Sequence, residues 1–72
     1  MNEQQLKDKG INIEKYLNGF IIADYSNKVP SRFGVRFQGA NNNWRDQAIG
    51  LVPFATKEKA ITAATAYTEK LQ

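Results

Sequence analysis

Seventy-two residues, with ten Lys and Arg against seven Asp and Glu and neither Cys nor His, describe one small, mildly basic domain. Disulfide staples, the usual zinc sites and Cys or His catalysis are excluded, and a formal charge of +3 is far from the acidity of a DNA-mimicking inhibitor. A domain this small buries only about 60% of its unfolded surface, so it depends on a well-packed core.

Residues 1–10 (MNEQQLKDKG) are polar and lack the apolar centre of a signal peptide. They are expected to be flexible or weakly helical, with a single binding domain over 11–72. No apolar run is long enough to span a membrane, and the lack of Cys fits a cytoplasmic protein. The next stretch, INIEKYLNGFIIADY, holds Asn18-Gly19 between two apolar-rich runs. Asn-Gly is the strongest short hairpin signal, because both central residues of a type I′ turn need φ > 0. On that reading Leu17 meets Phe20, Tyr16 meets Ile21 and Lys15 lies opposite Ile22. The alternative is a two-turn helix over 13–17 ended by the glycine, a length that is marginal without strong packing.

SRFGVRFQG alternates with period two. Phe33, Val35 and Phe37 are expected to face a core, and Arg32, Arg36 and Gln38 the solvent. Gly39 and three Asn then form a turn, since Asn tolerates the left-handed region. WRDQAIGLV reads as a further strand ended by Pro53, with Ile49 and Leu51 toward the core and Gly50 at a bulge or close approach. From about Lys57 to Leu71 the spacing predicts a helix with Thr56 as N-cap and Glu58 in its first turn. Ala60, Ala64, Tyr67 and Leu71 form one stripe with Ile61 and Ala63 beside it, and such small residues suit a helix lying flat on a sheet. The expected fold is α+β: an antiparallel three- to four-stranded β-β-β-β-α meander, covered on one face by the C-terminal helix.

The seven acidic residues are dispersed, and no nucleophile elbow, phosphate-binding glycine loop or metal cluster is present. A sheet with one helix also leaves little room for a deep pocket. The chain therefore reads as a binding module, with no enzyme activity and no cofactor. Its candidate nucleic-acid contacts are Lys28, Arg32, Arg36, Gln38, Asn43, Trp44 and Arg45. Arg can pair two-pronged with guanine and Asn or Gln with adenine, and a narrow antiparallel sheet can present them in the major groove of duplex DNA. The bland alternative is equally simple: polar residues occupy any wet strand face, and Trp44 can anchor the sheet end against the helix.

YLNGFIIADY, RFGVRF and PFATKEKAITAATAY together resemble the arm-site-binding N-terminal domain of phage-type tyrosine recombinases, a fold similar to the plant ethylene-response-factor DNA-binding domain. Phe54, Thr56, Glu58 and Ala60 fall in that family's spacing. The resemblance implies a three-stranded sheet entering the major groove, with Arg32, Arg36, Trp44 and Arg45 as contacts, in a free-standing phage or mobile-element module without a catalytic domain. The alternative to DNA is a host protein bound through a sheet edge or face, and edge pairing could also make a homodimer. If 13–17 is helical, the order α-β-β-β-α is similar to the double-stranded-RNA-binding domain, though only Lys57 and Lys59 stand at the start of the last helix.

Overall fold

A computed structural model describes residues 1–71, with the side chain of residue 71 left out of the description. Helix α1 (Glu3–Asp8) leads into strands β1 (Ile11–Tyr16), β2 (Gly19–Asp24), β3 (Arg36–Gln38) and β4 (Trp44–Arg45), and helix α2 (Lys57–Leu71) follows. The strands form one antiparallel sheet in the order β1-β2-β3-β4. The expected α+β meander under a C-terminal helix is the observed fold, with one more helix at the front. No helix among the described residues is long and apolar enough to cross a membrane.

Within residues 1–10, Glu3–Asp8 form a helix, the second of the two expectations. Asn2 caps α1 by accepting from the Gln5 amide, and the Gln5 side chain returns a bond to the Asn2 amide. A six-residue helix is too short to stand on propensity. It is held by Leu6, which is fully buried among Ile11, Ile13, Ile22, Phe54, Ala60 and Ala64. That cluster is the main core, and α2 lays its alanine stripe over β1 and β2. Thr56 accepts from the Lys59 amide at 3.2 Å, the predicted N-cap.

The segment 13–17 is strand up to Tyr16, so the hairpin reading holds and the helical one does not. Its register differs from the expected one. Tyr16 pairs with Gly19, Lys15 with Phe20 and Ile13 with Ile22, and the turn residues are Leu17 and Asn18. This register sets two core isoleucines side by side. Leu17 takes a left-handed φ of 53°, whereas Gly19 has no positive φ.

Gly19 is required for a different reason. A Cβ there would lie 2.8 Å from Pro53 Cβ, with the Phe54 carbonyl oxygen nearer still. The chain at 52–54 crosses directly over this point. Phe20 and Phe54 exchange backbone hydrogen bonds of 3.0 and 2.7 Å. Gly39 makes room in the same way for Val52, whose carbonyl accepts from Ala40. Segment 52–54 thus occupies the place beside β2 that a longer β3 would take.

The strands expected over 31–39 and 44–52 are consequently short. Residues 31–35 form a loop and only Arg36–Gln38 are strand; β4 has two residues, and 46–50 is a turn. Leu51 donates to Ala48 with Gly50 at φ 84°, the signature of a type II turn.

The faces are also reversed. Paired residues point to the same side, so Ile13, Ile22, Gln38 and Trp44 form one row on the α2 side, with Ile11, Asp24 and Arg36 in the next. Phe37 and Arg45 lie on the opposite face with Ala23. Phe33 is exposed and Ile49 still more so, while Leu51 is buried. The cause is β2: Ile21, Ile22 and Ala23 are all buried, so this central strand has an apolar surface on both faces. The Phe37 alternation matches the second surface rather than the helix side.

Candidate functional site

The seven predicted contact residues fall into three places. Arg36 makes its bonds within the fold. Its Nη2 donates to the Trp44 carbonyl at 2.9 Å, its Nη1 to the Pro30 carbonyl at 3.2 Å, and its Nε lies 3.5 Å from Asp46 Oδ1. These bonds clasp the 25–35 loop, β4 and the turn after it. The guanidinium is thus engaged within the fold, and its strand position faces the α2 side.

Gln38 and Trp44 come together, as neighbours across the β3–β4 ladder. Both face α2, where Trp44 packs on Tyr67 with ring centroids 4.6 Å apart and planes tilted by 46°. This is the anchoring role for Trp44. Because α2 sits over β1 and β2, the β3–β4 half of that face is left as a cleft of about 500 Å³ between sheet and helix. Gln38, Asn42, Trp44, Tyr67 and Lys70 line it. Asn43, next to the lining Asn42, is exposed in the turn, and Asn42 itself takes a left-handed φ of 62°, as the Asn-rich turn predicts.

Arg32 and Arg45 meet on the other side. Together with Phe33, Gln47 and Ile49 they line a shallow cleft of about 430 Å³. Local bonds position them. Ser31 Oγ donates to the Val35 carbonyl at 2.7 Å and accepts from the Phe33 amide, turning 32–33 outward, and the Arg36–Pro30 bond fixes the loop base. Arg45 Nη1 lies 3.5 Å from the Ile49 carbonyl, against Gly50. Asp46 borders the cleft, but its carboxylate faces Arg36. Neither Arg32 nor Arg45 has a carboxylate partner among the described residues, and Phe33 (58% exposed) and Ile49 (74%) stand beside them. Lys28 is exposed in the preceding loop.

Two tyrosines make polar links that the sequence did not suggest. Tyr67 Oη donates to Asp24 Oδ2 at 2.5 Å, and Asp24 Oδ1 accepts from the Ser26 amide and hydroxyl, so this buried carboxylate is well satisfied. Burial, then the bond to Asp24, pushes the Tyr67 hydroxyl well above its ordinary range, with Arg36 opposing. Tyr25 Oη donates to Glu14 Oε2 at 2.5 Å, and chiefly through that bond its pKa is pushed up to about 12. No group of three or more metal-ligating acidic side chains is found among the described residues. Only the Gln38–Trp44 spacing and the Asn-rich turn hint at the α2-side cleft in sequence; Tyr67 and Lys70 join it through the packing of α2.

Comparison with protein-family models, with curated proteins and with solved structures gives no match.

Proposed function

We propose that this chain is a small non-enzymatic module that binds nucleic acid by gripping backbone phosphates with Lys28, Arg32 and Arg45. The observation that carries the reading is the meeting of Arg32 and Arg45 in one open cleft, without a carboxylate partner among the described residues. Guanidinium groups without a carboxylate partner match phosphate geometry, and exposed Phe33 offers a face for a base or sugar. Duplex DNA is the first ligand to test, following the resemblance to arm-site-binding domains. The mode differs from that family's: Arg36, Gln38 and Trp44 turn toward α2, so the grip positions the backbone rather than reading bases from a flat sheet face.

A second reading, a host protein segment of acidic and apolar character on the same cleft, is favoured by the exposure of Phe33 and Ile49. Salt dependence separates the two. Three phosphate contacts give a slope of log affinity on log salt of about −2.7, or roughly 40-fold between about 50 and 200 mM salt. A random duplex titrated at several salt concentrations should show that slope, and the double substitution R32A/R45A should reduce it to about −0.9. Binding that the double substitution leaves unchanged, or no binding at low salt, would reject the phosphate grip.

A further inference from the structure

The cleft between α2 and the β3–β4 end of the sheet is left unexplained by the phosphate grip, which lies on the other side. Its lining holds an uncommitted polar group. Gln38 is 8% exposed and lines the cleft, and its side chain makes no hydrogen bond to the described residues. The carboxamide is not among the fully buried unpartnered polar atoms, so its donor and acceptor stay reachable from the cleft and are not committed to a partner within the fold. Around it stand the half-buried ring of Trp44, the Tyr67 ring packed on it, the small side chain of Ala66, and Lys70 at the rim. No acidic residue lines the cleft among the described residues.

We propose that this cleft takes an adenine base carrying a phosphate. A carboxamide presents one donor and one acceptor side by side, the complement of the adenine N6 amine and N7. Trp44 supplies a flat aromatic face on which a base can stack, and Ala66 leaves the helix side low enough for a planar ring. Lys70 supplies the single positive charge that a phosphate needs. A volume of about 500 Å³ lies within the range of small-ligand sites. The same chemistry is offered by a free adenine nucleotide and by an unstacked adenine at the end of a strand. The inference rests on the geometry of this cleft and not on the Arg32–Arg45 grip.

Trp44 is the only tryptophan, so its fluorescence reports the site directly. The intact protein is titrated with AMP, GMP, a short oligodeoxyadenylate and inorganic phosphate. Saturable quenching by AMP or by the oligonucleotide is expected, with GMP weaker by about tenfold because its O6 replaces the donor that the carboxamide oxygen needs. Saturation by AMP identifies a free nucleotide as a sufficient ligand, and saturation by the oligonucleotide alone assigns the base to a strand. Gln38→Leu should abolish the preference for AMP over GMP and weaken AMP binding by about tenfold, with folding checked by circular dichroism. Ala66→Phe, at an exposed helix position, should block the cleft without touching the core and decides the matter if the first variant fails to fold. Equal response to AMP and GMP, unaltered binding by both variants, quenching by phosphate alone, or no saturable response to any adenine ligand would each overturn the proposal.

Discussion

Replacing Gly19 by Ala tests the account of how this fold closes. The added Cβ would sit 2.8 Å from Pro53 Cβ and closer still to the Phe54 carbonyl oxygen. Both obstacles belong to a segment tied to Phe20 by two backbone hydrogen bonds, so neither can swing aside like the end of a flexible side chain. Overpacking of this kind costs about 1–3 kcal/mol. Displacing the segment also weakens two buried backbone bonds, each contributing about 1 kcal/mol. A loss of about 3 kcal/mol follows, against the roughly 4–11 kcal/mol expected for a chain of this length. Thermal unfolding followed by circular dichroism should show the midpoint falling by about 12–24 °C.

Asn at the same position separates this reasoning from its rival. If Gly19 served a left-handed turn position, Asn would replace it with little loss, because Asn tolerates positive φ. If the requirement is space for Pro53 and Phe54, Gly19→Asn should be at least as damaging as Gly19→Ala. Gly34 is the control: its φ is +76° and a Cβ there meets nothing within 4 Å. Gly34→Ala should cost only about 1 kcal/mol of backbone strain and Gly34→Asn less. A near-normal midpoint for Gly19→Asn would refute the steric argument.

Four further outcomes are expected. Tyr67→Phe removes the hydroxyl that bonds Asp24 Oδ2 inside the fold and should lower stability by about 2 kcal/mol in urea unfolding, without altering duplex binding. Leu17→Asn relieves a left-handed leucine that is 69% exposed and should stabilise by about 0.5–1 kcal/mol, read as a higher urea midpoint. Arg36→Lys breaks the pair of hydrogen bonds to the Pro30 and Trp44 carbonyls and should lower the melting temperature while leaving the salt slope of duplex binding intact; a changed slope with unchanged stability would return Arg36 to the interface. In alkali, the Tyr25 phenol is raised above its unfolded value by its bond to Glu14. Its contribution is complete below about pH 10 and is lost as pH rises through about 12; Tyr25→Phe should flatten that decline in urea midpoints measured between these limits.

Helix α2 was legible because its signals are local: Thr56 at the cap, small residues at helical spacing, and no breaker before Leu71. The β1–β2 hairpin was legible in kind but not in register. Asn18-Gly19 looks like a turn pair, whereas the glycine is held by a contact with Pro53 and Phe54, more than thirty residues away along the chain. Helix α1 carried a readable signal in the Asn2–Gln5 capping box. Its six residues nonetheless form a helix only because Leu6 reaches the core. Alternation in 33–37 announced two faces without saying which would meet the helix. That choice was made by β2, apolar on both sides, and by the position of α2 over β1 and β2. Of the candidate site, the contact candidates of the 28–45 region could be named from sequence; their division between a clasp (Arg36), an α2-side cleft (Gln38, Trp44) and an open cationic cleft (Arg32, Arg45) could not.

That division has a single structural origin. Gly19 and Gly39 lack side chains where Val52–Phe54 crosses, so this segment can lie beside β2 and end the β3 pairing at Gln38. The same crossing carries the chain to Thr56 and starts α2 over the β1–β2 half of the sheet. With β3 and β4 shortened and α2 centred over β1 and β2, Gln38 and Trp44 line a cleft at the edge of the helix, where Trp44 packs on Tyr67. On the reverse side, the turn that must precede Val52 brings Ile49 and Gly50 against Arg45 and forms one wall of the cleft that Arg32 closes. Arg36, between the two, bonds to the Pro30 and Trp44 carbonyls and pairs with Asp46. Both candidate binding surfaces are therefore consequences of where one short segment crosses the sheet, and a side chain at either glycine would disturb them together.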